Sequence, residues 1–317
     1  SGGAIAAGAN AVTVSATGAL SLAGGTLTAG TVALSNSSGT GTFISASAPS
    51  VVNAVSVTIA GAVGTIASIG NITWNLSGEA DWSDSAFAGT WSAVGSGNIK
   101  YLAAGSTTPT LASSHALYDI TIVDGVDLTV TTTLSAHSIT IGSSAAASLV
   151  AAGNNAISAT GDISGSGTLN ANALTSATLN VDGSMSVAVY NAAFLTTVGS
   201  DWTTPAVGFV HNSGTLRFDG NGTLNSSGLI CNAVDVAGIL SAAANFAVEQ
   251  DLTIGASGAL TAAAGVVISI GKDWINSRGV PGFTADLSST VDFVGAVATH
   301  TISGSTNFAS LRCTEAG

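Results

Sequence analysis

The densest group of chemically able side chains is Glu79, Asp81 and Asp84, set among Trp82 and Trp91. Carboxylates beside indole rings suit a sugar subsite, where acids take hydroxyl hydrogen bonds and ring faces cover the apolar side of the sugar. Trp82, Trp91, Asp81 and Asp84 are therefore the glycan-contact candidates. Glu79, Asp81 and Asp84 are also the calcium candidates, because hard cations collect carboxylate oxygens from turns. The competing reading is an acidic turn in water, since loops carry much of a chain's charge. Asp119, Asp124 and Asp127 form a second acidic group open to the same alternatives.

Little else points to chemistry. Acid–base work on a polysaccharide needs Asp clustered with Arg or Lys on one face. This chain has only 5 Lys and Arg in 317 residues. His115, His137, His211 and His300 are scattered without metal-ligand spacing, and each is expected to cap a turn. No EF-hand loop, no G-G-x-G-x-D repeat and no G-x-S-x-G elbow is present. The reading is a protein with no catalytic residue and no cofactor, calcium being the one metal its acidic turns could hold.

Composition narrows the class further. Charged residues are 7% of the chain, against a usual figure of about 25%. The net charge is −12 and no basic cluster exists, so nucleic acid and anionic membrane are not expected partners. Mean hydropathy is +0.54, yet Ser, Thr, Gly or Asn interrupts every apolar run before it could cross a bilayer. Aromatics, at 5%, are too few for the girdles of a membrane barrel. The first residue is Ser1, as a processed or partial chain would give.

Two tryptophans mark a repeat. The pair Asp201-Trp202 recurs as Asp273-Trp274. Each is followed by a strand-like piece, GTLRFDGNGTL at 214–224 and STVDFVGAVATHTISG at 289–304, in which Phe218 and Phe293 take matching places. LTIGASGALTAAAG at 252–265 matches VTVSATGALSLAGG at 12–25 without a gap, and looser copies begin at Val57, Ile139 and Leu179. Asp201, Trp202, Asp273, Trp274, Phe218 and Phe293 are thus read as structural markers. Trp packs at a rung edge or corner, and Asp bonds turn amides.

Inside each copy the period is two. Ile139 and Ile141 alternate with Thr140, and Leu216 and Phe218 with Thr215 and Arg217. Short strands, 40 glycines and internal repeats point to an all-β fold. The expected architecture is a parallel β-helix, a β-solenoid with rungs of about 20–25 residues; an array of β-sandwich domains is the alternative. The chain reads as one elongated repeat domain, 1–317, in pieces near 1–90, 91–200, 201–272 and 273–317, the last incomplete.

The runs ATGALSLAGGTLTAGTVALSNSSG at 16–39 and STVDFVGAVATHTISGSTNFASLRC at 289–313 resemble rungs of bacterial secreted β-helix surface proteins, the filamentous-haemagglutinin and autotransporter-passenger adhesins. That resemblance implies a secreted, extracellular, right-handed parallel β-helix without catalytic residues. The expected function is structural: a subunit of a self-assembling surface filament, fibre or sheath, pairing head to tail with copies of itself through uncapped ends. An adhesin stalk that binds glycans or a host surface is the alternative, and a polysaccharide-active enzyme ranks below both. Asn36, Asn71, Asn75, Asn221 and Asn225 begin N-x-S/T sequons.

Cys231 and Cys313 are separated by about four rungs of chain, or ~19 Å along a solenoid. A disulfide needs Cα atoms within about 7 Å, so no bond joins them in one chain. Cys313 alternates with Leu311 and is expected to be buried. Thiol titration of the denatured protein should return both thiols with or without prior reduction; fewer without reductant would refute the spacing.

Overall fold

The computed structural model describes residues 4–8, 10–15, 19–21, 24–36, 41–45, 50–61, 64–68, 72–76, 80–82, 98–101, 110–113, 117–171, 177–295 and 299–314. The protein is all-β, with parallel strands stacked in a β-solenoid. A sandwich requires antiparallel sheets facing each other, so that alternative falls. Among the described residues the only helical segments are two 3₁₀ turns, Ala206–Gly208 and Val280–Gly282.

Contacts divide the chain into two compact units, Ser1–Ser158 with Gly165–Gly167, and Ala159–Ser164 with Thr168–Gly317. The second unit has three columns of strands. The first column runs Thr178–Val181, Leu195–Val198, Thr215–Phe218, Ala233–Val236, Leu252–Ile254, Trp274–Asn276 and Ile302–Ser303. The second stacks Asn221–Leu224, Ile239–Ala242, Ala259–Ala262 and Phe283–Ala285. The third stacks Leu229–Cys231, Phe246–Val248, Val267–Ile270, Thr290–Val294 and Leu311–Thr314. Asn232 makes the corner between Leu229–Cys231 and Ala233–Val236, a stretch the sequence presents as one strand.

The first unit repeats this plan. One column starts at Ala4–Ala6 and continues through Thr26–Asn36, Ser50–Gly61, Ile72–Leu76, Asn98–Tyr101, Leu117–Ile122 and Leu134–Ile141. Ala11–Ser15 begins a second, and Ala19–Ser21, Gly41–Ser45 and Gly64–Ser68 form a third.

Rung length is more variable than expected. Thr178 faces Leu195 across a short rung, whereas Trp274 faces Ile302 across a much longer one. The strands keep register while the corners absorb the difference, because corner residues make few ladder bonds.

Period two decides what fills the core. Ile139 and Ile141 point inward with no exposed surface, and Thr140 between them is half-buried. Leu216 and Phe218 are buried between Thr215 and Arg217 in the same way. Parallel register then stacks like on like: Leu240 on Leu260, Ala242 on Ala262, and outside them Ser241 on Thr261. Small and aliphatic side chains fit such columns at one strand spacing, about 4.8 Å. Leu252→Ala should cost about 2–5 kcal/mol, while Thr253→Ala on the outer side of the same strand should stay within about 0.5 kcal/mol. Urea unfolding of the two variants measures this; equal losses would deny that the strand is one-sided.

Candidate functional site

Both Asp-Trp pairs build the same local structure. The Trp202 amide donates to the Thr223 carbonyl at 2.8 Å, and the Thr223 amide donates to Asp201 Oδ1 at 2.8 Å. The Trp274 amide donates to the Thr301 carbonyl at 2.9 Å, and the Thr301 amide donates to Asp273 Oδ1 at 2.8 Å. On the other side, the Asp201 carbonyl accepts from Met185 and the Asp273 carbonyl from Leu252. Each Asp side chain therefore adds one more acceptor to the ladder where the strand begins. A charged acceptor strengthens such a bond.

Each indole is fully buried and meets the Phe that follows a 3₁₀ turn. Trp202 and Phe209 stand edge to face at 5.3 Å, and Trp274 and Phe283 at 4.9 Å. The turns end on buried glycines, Gly208 and Gly282. A Cβ on Gly208 would sit 1.9 Å from the Ala188 carbonyl oxygen, so no larger residue fits there. The repeat thus extends beyond Asp-Trp to a Gly-Phe pair that does not stand out in the sequence. Asp81-Trp82 is a third Asp-Trp pair outside the repeat markers.

The two copies do not occupy the same face. Trp202 bridges Met185 and Leu224, which places it in the second column; Trp274 pairs with Leu252 in the first. Phe218 lies in the first column and Phe293 in the third, so they are not equivalent in the stack. From Trp202 to Trp274 the chain completes whole turns and then advances by further faces. The repeat is real as a local piece, but its length is not a whole number of turns.

Charge is spent between rungs. Arg217 pairs with Asp235 at 3.2 Å. Lys272 Nζ lies 3.3 Å from both oxygens of Asp251 and 4.0 Å from Asp273. Arg278 donates to the Gly258 carbonyl at 3.1 Å, and Arg312 to Asp292 at 2.6 Å. The acids behave alike. Asp124 accepts from the amides of Ser143 and Ser144, each at 2.9 Å, and from the Ser143 hydroxyl. Asp162 takes the Ser184 amide at 2.7 Å, Asp127 the Ser148 hydroxyl at 2.6 Å, and Asp119 the Ser138 hydroxyl and His137. The sequence signal for this is an Asp followed one rung later by Ser or Thr.

These bonds fix the ionisation of several acids. The Ser143 hydroxyl holds the Asp124 carboxyl below its ordinary value, with the Ser144 amide adding to it. Ser288 does the same for Asp286, and the Arg312 hydrogen bond does so for Asp292. Burial pushes the Cys231 thiol up to about 12, leaving it inert.

The sequence candidates separate on this frame. Glu79, Asp84 and Trp91 lie outside the described residues, as do His115 and Asn71. Asp81 and Trp82 belong to the strand Ala80–Trp82, paired with Leu111–Ser113. Asp119, Asp124 and Asp127 do not converge on one point; each bonds its own serine on the next rung. No group of three His, Cys, Asp or Glu fit to hold a metal occurs among the described residues. His211 caps its own turn, accepting from the Ser213 amide, and its Nε2 also lies 3.4 Å from Glu249; His137 and His300 reach other rungs, to Asp119 and to the Lys272 carbonyl. Asn75 donates to Asn53 at 2.8 Å, and Asn221 and Asn225 are exposed.

Cys231 and Cys313 are both free. They stand four ladder steps apart, through Val248, Ile270 and Phe293. Cys313 is exposed rather than buried. It follows Phe293 in an inward-facing column, but no described strand stacks over it. No helix of the described residues is long and apolar enough to cross a membrane.

No known protein family, curated protein or solved structure matches this chain.

An acid whose folded value is depressed stabilises above its ordinary value, near 3.9, and loses that stabilisation as pH falls through the folded value. The thermal midpoint should therefore hold steady above about pH 5 and fall below about pH 4. Asp292→Asn should lower the midpoint at pH 7 and shrink the acid-induced fall. A variant with the parent's full pH dependence would show that the Arg312 clamp contributes nothing.

Proposed function

We propose that this chain is a structural protein, a subunit of a self-assembling extracellular filament, fibre or sheath. The observation that carries the reading is the commitment of its charge. Arg217, Lys272, Arg278 and Arg312 each bind the neighbouring rung, and so do Asp119, Asp124, Asp127, Asp162, Asp201 and Asp273. Side chains used as clips between rungs are not held ready for a substrate. In this reading the protein is not an enzyme, and its work is mechanical.

Parallel stacking supports the polymer part of the proposal. A parallel strand has two different edges, so an end-to-end contact between copies is heterologous and propagates. The likeness of 16–39 and 289–313 to secreted β-helix surface proteins supports an extracellular setting, and the low charge and dense small side chains suit a durable stack. No partner other than a second copy is needed.

Electron microscopy of the purified chain at neutral pH tests this. Filaments with a regular axial repeat are expected. Single particles at every concentration, together with retention on a glycan array that Asp81→Ala or Trp82→Ala abolishes, would replace the filament with a glycan-binding stalk.

A further inference from the structure

The two Asp-Trp copies place their inward side chains alike. Trp202 and Thr204 are buried on either side of the exposed Thr203, as Trp274 and Asn276 are on either side of the half-buried Ile275. Each indole meets its Phe edge to face, beside a turn that ends on a buried glycine. Two residues after the tryptophan, Thr204 therefore stands where Asn276 stands. In the second copy these two positions converge on one oxygen. Trp274 Nε1 donates to Thr306 Oγ1 at 3.1 Å, and Asn276 Nδ2 donates to the same atom at 3.0 Å. Gly279 and the Ser305 carbonyl complete the bonding of the Asn276 carboxamide.

In the first copy the described chain supplies no such oxygen. The corner above it, residues 225–228, is shorter than the corner 304–310 above the second. Its buried hydroxyl, on Ser226, donates to the Thr204 carbonyl instead. Threonine also reaches less far than asparagine: its hydroxyl ends one bond from Cβ, a carboxamide nitrogen two. Trp202 Nε1 and Thr204 Oγ1 are consequently buried with no partner among the described residues, and neither residue exposes any surface. A buried indole N–H or hydroxyl ordinarily bonds a protein group or an ordered water.

We propose that the first copy binds one internal water, which takes the part of the Thr306 hydroxyl by accepting from Trp202 Nε1 and bonding Thr204 Oγ1. The ligand must offer an acceptor, because an indole only donates, whereas the Thr204 hydroxyl serves as donor or acceptor. It is neutral, because a buried anion needs a cation beside it. The four cations of this unit are held elsewhere, Arg217 by Asp235, Lys272 by Asp251, Arg278 by the Gly258 carbonyl and Arg312 by Asp292. A water fixed by buried polar groups is part of the structure and costly to remove. The repeat thus closes one polar triangle in two ways, with a side chain in one copy and with solvent in the other. This inference is independent of the filament reading.

Thr204→Val tests the site, because it keeps the side chain's shape and removes only the hydroxyl. Removing an orphaned hydroxyl relieves a cost, so the thermal midpoint would rise; removing a partner of the water loses a bond, so the midpoint falls. The expected result is a fall of about 2–4 °C. A rise would overturn the water. A fall by itself also fits a loss of packing, so a second readout accompanies it. Oxygen-17 relaxation dispersion of the solvent signal counts long-lived internal waters in the parent, in Thr204→Val and in Thr253→Val, whose side chain lies on the outer side of its strand. Thr204→Val should hold one fewer than the parent, and Thr253→Val the same number, since an internal water needs at least two polar partners. An equal count in Thr204→Val and the parent would overturn the proposal whatever the midpoint does.

Discussion

Everything in this protein is subordinate to the backbone hydrogen bond between neighbouring rungs. An amide in this chain finds its carbonyl on the strand directly above or below, a full rung away in sequence, whether the rung is short, as from Thr178 to Leu195, or long, as from Trp274 to Ile302. Each bond is modest by itself, about 1 kcal/mol net, but the whole ladder must be satisfied because an unpaired buried amide costs more than a made bond returns. Every strand therefore copies the direction and register of its neighbour. Side chains then stand in columns at one strand spacing, and the columns decide composition. Wide side chains repeat poorly at about 4.8 Å, whereas Ala, Val, Ile, Ser and Thr repeat without strain.

The charged residues are subject to the same geometry. A carboxylate at a corner is placed within one strand spacing of the next rung's amides, and Asp124, Asp162, Asp201 and Asp273 all take such amides. They finish the ladder where regular pairing stops. The cations join their neighbours across the same spacing, so Lys272 sits between Asp251 and Asp273 rather than facing a ligand. Among the described residues, Arg217, Lys272, Arg278 and Arg312 and the acids they or the next rung's amides meet thus act as fastenings between rungs.

The Asp-Trp piece shows how a local solution is reused. Its essential contacts reach one rung up and one rung down, so it works on any face of the stack. That is why one copy can stand in the second column and the other in the first. The copies differ in how the indole nitrogen is treated. Trp274 Nε1 finds Thr306, whereas Trp202 Nε1 and the nearby-in-sequence Thr204 hydroxyl are buried without a hydrogen-bond partner. Such orphaned groups cost about 1–3 kcal/mol each. The Tyr190, Trp202 and Phe209 rings, 5.3 to 6.0 Å apart, pack around the first copy and offset part of that cost.

Fold class, one-sided strands and the separation of the cysteines are legible in the residues alone. Ile139, Thr140 and Ile141 announce their faces through period two, and Cys231 and Cys313 stand four steps apart as their spacing requires. These properties are local or additive along the chain. Which face each piece occupies emerges only on folding, because it depends on the summed lengths of all intervening corners. A few residues gained or lost in corners such as those between Thr178 and Leu195, or between Trp274 and Ile302, rotate everything after them. So Phe218 and Phe293 match in sequence yet sit in different columns. The same sum makes Asp119, Asp124 and Asp127 bond separate serines instead of converging, and lays Phe308 over Trp274.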